Sequence, residues 1–123
     1  MSYGDTSRPW VQIDEFHAGI ARSNPAFADL AQLAMNIAAS PYPAAGLCGM
    51  TSMHDLIVGM SRCIRESPHL VIAYDFDSQL FRFSYRDGSA KPWSRSARAD
   101  EVYAVFERFV TKRARWFRSA LPA

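Results

Sequence analysis

The sequence predicts an α+β fold, an antiparallel sheet of two or three strands packed by N-terminal helices and by a long C-terminal helix. Three observations predict it. Residues 69–88 read as a β-hairpin, residues 10–39 carry apolar side chains at helical spacing, and residues 97–118 carry a heavier apolar stripe of the same period. In the hairpin, Val71, Ile72, Tyr74 and Phe76 precede a polar break at Asp77, Ser78 and Gln79, and Phe81, Phe83 and Tyr85 follow it. β-Branched and aromatic residues suit a pleated, half-buried surface. The second arm alternates them with Arg82, Ser84 and Arg86, so that one face is apolar and the other wet. Residues 70–73 are instead continuously apolar, as expected of a strand covered on both faces or paired on both sides. An isolated hairpin is marginal in water, so helices from elsewhere must cover its apolar face.

In chain order, residues 1–9 read as a loose lead-in. Trp10, Ile13, Phe16, His17 and Ile20 then mark a short helix ending near Arg22. Asn24-Pro25 restarts the helix, because Asn caps free backbone N–H groups and Pro is tolerated at the first helical position. The second helix runs to about Ala39. Two prolines and two glycines make residues 40–49 a loop. Ser52 followed by Asp55 reads as a variant capping box, and Met53, Leu56, Ile57, Met60 and Ile64 as the face of a third helix, stopped by Pro68. Asp87-Gly88 is a second turn signal, and a third strand returns through residues 90–94, confined by Pro92 to a sheet edge. The last helix starts at Ala97 or Ala99 and ends at Arg118, with Val102, Phe106, Phe109, Val110 and Phe117 on its apolar face.

The chain has 123 residues, 49% of them hydrophobic, which suits one domain over residues 1–123. Fourteen basic and twelve acidic residues leave a formal charge of +2, too slight to imply nucleic acid without a concentrated patch. Neither a signal-peptide core nor an apolar run of about 20 residues is present, so a cytoplasmic protein with no membrane partner is expected. In that compartment Cys48 and Cys63 are expected as free thiols.

Four groups of residues invite a chemical reading. Cys48 sits between glycines before an expected helix start, and with His69 and Asp75 it makes a candidate cysteine-hydrolase or transferase set; an ordinary loop cysteine is the plainer reading. Arg108, Lys112 and Arg115 form a basic stripe suited to phosphates, although a solvated helix end accounts for them as well. Asp75, Asp77 and Asp87 are explained by turn chemistry, and the histidines lack ligand spacing, so no metal and no cofactor is expected. Arg82, Arg86, Trp93 and Arg95 are left as a docking face, since arginine and aromatics are enriched where interface energy concentrates.

The segment 74–88, then Pro92-Trp93, then Val105-Phe-Glu-Arg-Phe109, resembles the C-terminal half of small bacterial immunity proteins, which neutralise polymorphic toxins delivered by type VI secretion or contact-dependent systems. The resemblance covers residues 70–118. It implies a non-enzymatic protein that binds one cognate, cytosol-acting toxin and occludes its active site. Inhibitors of nucleases are often acidic, whereas this chain is slightly basic, so the toxin is something other than a nuclease or is bound away from its phosphate site. A homodimer is a further partnership the sequence leaves open.

Overall fold

The structure, a computed structural model, describes residues 6–122. Two helices, α1 (Trp10–Ser23) and α2 (Ala28–Ala39), come first, joined by a 3₁₀ turn at Pro25–Phe27. Asn24 Oδ1 accepts the Ala26 N–H at 3.1 Å and so caps this turn as its sequence implies. A five-stranded antiparallel meander follows, β1 (Cys48–Ser52), β2 (Asp55–Gly59), β3 (His69–Asp75), β4 (Leu80–Arg86) and β5 (Ser94–Ala97), in that spatial order. Helix α3 (Val102–Arg108) and a single π turn (Phe109–Arg113) close the chain.

The expected sheet of two or three strands is therefore corrected to five. The two extra strands are β1 and β2, cut from the stretch read as a loop and a third helix. Met53, Leu56, Ile57 and Met60 do fall at helical spacing, but Leu56-Ile57-Val58 is a contiguous apolar run that is almost fully buried. Such a run suits a strand covered on both faces. Leu56 and Val58 face the helices, while Ile57 joins Met50 and Ile64 in a smaller cluster on the opposite face. Met53 adopts a left-handed φ of 56° at the hairpin tip, which ends any helical continuation. With β2 paired on one side and β4 on the other, β3 is the central strand, which explains the continuous apolar run of residues 70–73.

The long C-terminal helix is corrected as well. Regular α-helix stops at Arg108, and the next turn is wider, with the Ala114 N–H bonded to the Phe109 carbonyl five residues back at 2.9 Å. Arg115 then turns left-handed at φ 57°, and the Phe117 N–H returns to the Val110 carbonyl at 3.1 Å. Phe109 and Val110 continue the buried stripe of Val102, Val105 and Phe106, and in the widened turn Thr111 is buried beside them, which broadens the inward arc by one residue. The third strand also moves, to Ser94–Ala97, leaving Pro92 in the connection before it.

The main core lies between one sheet face and the helices. Leu70, Ile72, Phe81 and Phe83 from the sheet meet Leu30, Leu33 and Ile37 from α2 and Phe106, Phe109 and Val110 from the C-terminal segment. Tyr42 fastens the loop after α2 into this core: its hydroxyl donates to Glu107 Oε2 at 2.8 Å and accepts the Leu121 N–H at 3.2 Å. Burial pushes the Tyr42 phenol up to about 12, so it remains a donor across the physiological range. Residues 1–5 of the expected lead-in lie outside the described residues. Thr6 and Arg8 form antiparallel bridges to Cys63 and Gly49, covering part of the β1 edge.

Helix α1 approaches β1 through Gly49. A Cβ at this position would stand 2.7 Å from the Trp10 ring and 2.9 Å from Ile13 Cδ1, while Trp10 Nε1 donates to the Leu47 carbonyl at 2.9 Å. Gly49→Ala is expected to cost roughly 1 to 3 kcal/mol by overpacking, measured as a lowered midpoint of urea unfolding. An unchanged midpoint would mean that α1 is free to shift away from the sheet.

Candidate functional site: a cationic cleft beside the last strand

The strands sort the sequence-derived candidates onto two faces. Arg82, Ser84 and Arg86 of β4 point away from the helices, on the same face as His69, Val71 and Asp75 of β3. Arg95 lies opposite Phe83 in the β4–β5 register and therefore projects to the helical face. Trp93, just before it, packs on Phe109 with ring centroids 5.1 Å apart. The four residues expected to form one docking face are thus divided, Arg82 and Arg86 on one side of the sheet and Trp93 and Arg95 on the other.

On the helical side, Trp93 and Arg95 meet residues from the basic stripe. A cleft of about 260 Å³ is lined by Trp93, Arg95, Val105, Arg108, Phe109, Lys112 and Arg113. Val105 and Phe109 form an apolar floor, and four cations form the walls. The π turn assists here: with more than four residues per turn, Arg108, Lys112 and Arg113 come to one side of the segment. No lining residue is acidic. Among the described residues, no carboxylate lies within ion-pair distance of Arg95, Arg108 or Lys112. Arg113 sits with its guanidinium 5.9 Å from the Trp93 ring centroid and also acts on Asp87, whose carboxyl is held low first by the Ser89 backbone N–H and more weakly by Arg113. A helix dipole accounts for Arg108 in the last turn of α3 and for Lys112 and Arg113 at the end of the π turn. It does not explain Arg95, which arrives from a strand.

Arg115 lies outside this cleft, in a neighbouring hollow of about 350 Å³ with Thr111, Lys112, Phe117 and Arg118. The two hollows share Lys112. Residues 108–118 contain five of the fourteen basic residues and no acid, leaving nine basic against twelve acidic residues elsewhere. This asymmetry is the signal in the sequence that marks the C-terminal segment apart from a chain of near-neutral charge.

The opposite sheet face carries a further hollow of about 280 Å³, lined by Ser52, Asp55, Ile57, Arg65, His69, Val71 and Arg86. Burial raises the Asp55 carboxyl, against the opposing influence of His54 and Arg65. Arg82 pairs with Asp75 at 3.4 Å.

The candidate set Cys48, His69 and Asp75 is not assembled. Cys48 and His69 are both in register with Gly59, on strands either side of β2, so their backbones lie about 10 Å apart. Cys48 Sγ donates to the Gly46 carbonyl at 3.6 Å, and His69 Nδ1 lies 2.8 Å from the Ser67 carbonyl. Asp75 stands six residues along β3 from His69, roughly 20 Å away at strand rise. Cys48 and Cys63 are free thiols. Asp75 and Asp87 accept backbone N–H groups two residues on, each at 3.0 Å, the turn chemistry their spacing implies. Among the described residues no group of three His, Cys, Asp or Glu is placed to hold a metal ion, and no helix is long and apolar enough to cross a membrane. Compared with known proteins, the chain matches no family model, no curated protein and no solved structure.

Proposed function

We propose that this chain is a non-enzymatic binding protein of the toxin-immunity kind, and that it holds an acidic surface of its protein partner in the cationic cleft. The observation that supports this reading is the convergence of Arg95, Arg108, Lys112 and Arg113 around an apolar floor with no acidic lining residue. Unpaired cations beside an aromatic anchor are the combination that concentrates interface energy when carboxylates arrive. The cleft has the wrong sign to mimic nucleic acid. A nuclease's phosphate-binding surface is therefore not what it covers, and the partner presents carboxylates.

A nucleic-acid accessory role is the second reading, favoured by the five basic residues within residues 108–118. Trp93 counts against it: Phe109 packs on the ring and Arg113 lies over it, contacts that a stacking base would have to displace.

Reversing two charges separates these readings from a solvated helix end. Arg108 and Lys112 are exposed, so Arg108→Glu with Lys112→Glu is expected to leave the melting temperature nearly unchanged while weakening partner binding at least about a hundredfold. Calorimetric titration of the partner measures this, and full affinity in the double variant would remove the cleft from the interface. Binding of a single-stranded oligonucleotide that falls steeply with salt would favour the second reading.

A further inference from the structure

We propose that the acidic ligand of the cationic cleft is an extended segment of the partner that adds to the sheet as a sixth strand along β5. This rests on the cleft reading above and goes beyond it by naming the ligand's conformation. The meander has two edges, and they differ. At β1, Arg8 donates its N–H to the Gly49 carbonyl at 2.8 Å and Thr6 bridges Cys63, so the chain's own N-terminal segment runs along part of that edge. At β5 no further strand is paired among the described residues.

The register shows which groups the β5 edge offers. Tyr85 donates its N–H to the Trp93 carbonyl at 2.9 Å, and Phe83 is opposite Arg95. Hydrogen-bonding direction alternates along a strand, so Trp93, Arg95 and Ala97 turn their backbone groups toward β4, and Ser94 and Ser96 turn theirs outward. Both serines are exposed. The edge ends at Arg98, whose N–H is taken by Glu101 Oε1 at 2.9 Å.

Side-chain direction then couples this edge to the cleft. In an added antiparallel strand, the residues opposite Ser94 and Ser96 aim their N–H and C=O groups at β5 and their side chains at the open sheet face. The residue between them, opposite Arg95, turns its backbone outward and its side chain toward the helical face, where Arg95 lines the cleft with Arg108 and Lys112. Backbone pairing supplies affinity and a carboxylate at that position supplies specificity, the division of labour of strand addition. The matching ligand alternates acidic residues with small polar ones.

The test uses the intact protein and a synthetic ten-residue peptide alternating glutamate and threonine, labelled for fluorescence polarisation. Two further peptides carry backbone N-methyl groups, on the threonine amides in one and on the glutamate amides in the other. Strand addition predicts that threonine methylation lowers affinity at least about tenfold, while glutamate methylation leaves it unchanged. Equal affinity of all three peptides, with binding still lost in Lys112→Glu, would overturn strand addition and leave the cationic cleft standing. No binding of the unmodified peptide would overturn both.

Discussion

Phe106→Ala lowers the unfolding free energy by roughly 3 to 5 kcal/mol, the range for a large aromatic removed from a packed core. Phe106 is wholly buried and meets Tyr42 edge to face at 5.7 Å, with Tyr103 also 5.7 Å away by ring centroids. It lies where α3, the loop after α2 and the sheet converge, so three separate parts of the chain would have to move together to refill the space. Urea unfolding with an unchanged slope and a lowered midpoint is the expected signature. A loss below about 1 kcal/mol would show that this junction collapses freely, contrary to the packing described. Because α3 carries Arg108, the same variant is also expected to loosen the cleft.

Acid is the second strong lever, and it acts through His17. This imidazole is 2% exposed, and among the described residues its Nε2 has no hydrogen-bond partner. Burial first, and the nearby His54 second, lower its pKa from 6.5 to about 4. The folded state thus resists a proton that the unfolded chain accepts. His17 imposes no cost above pH 6.5; as pH falls from there to about 4, stability declines, and below that the contribution is constant. At 1.36 kcal/mol per unit the whole step amounts to about 3 kcal/mol. Asp55, whose carboxyl is raised by burial, works in the opposite sense near the acid end, because its protonated form is favoured in the fold. Comparing the chain with His17→Leu isolates the histidine. Unfolding free energies measured between pH 7 and pH 4 are expected to fall less steeply in the variant, and parallel curves would show that His17 is protonated in the folded protein without penalty.

The sequence was most legible where local chemistry and tertiary need agree. Asn24-Pro25 divides two helices, and the alternation of Phe81 and Phe83 with Arg82 sets the faces of β4, because caps and period-two patterns act over a few residues. Residues 52–64 misled because Met53, Leu56, Ile57 and Met60 fit a helical stripe, while the strand assignment depends on partners elsewhere: β2 is paired along both edges, by β1 and by β3. The π turn was hidden for a similar reason. Phe109 and Val110 fit a regular helical stripe, whereas the burial of Thr111 beside them goes with the return of the Phe117 N–H to the Val110 carbonyl, a contact that no local period encodes. At the cleft each contributor was visible singly. Residue type unites Trp93 and Arg95 with Arg82 and Arg86, but strand parity sends Arg95 to the opposite face, where Arg108 and Lys112 lie.

The two sheet faces can be set against each other in one capture experiment from source cells. Three baits are compared: the unaltered chain, Arg108→Glu with Lys112→Glu in the cleft, and Arg82→Glu with Arg86→Glu on the open face. A single protein recovered at unit stoichiometry by the first and third baits and absent from the second is the predicted result. The same protein retained by the cleft variant and lost from the open-face variant would contradict the cationic cleft as the binding site.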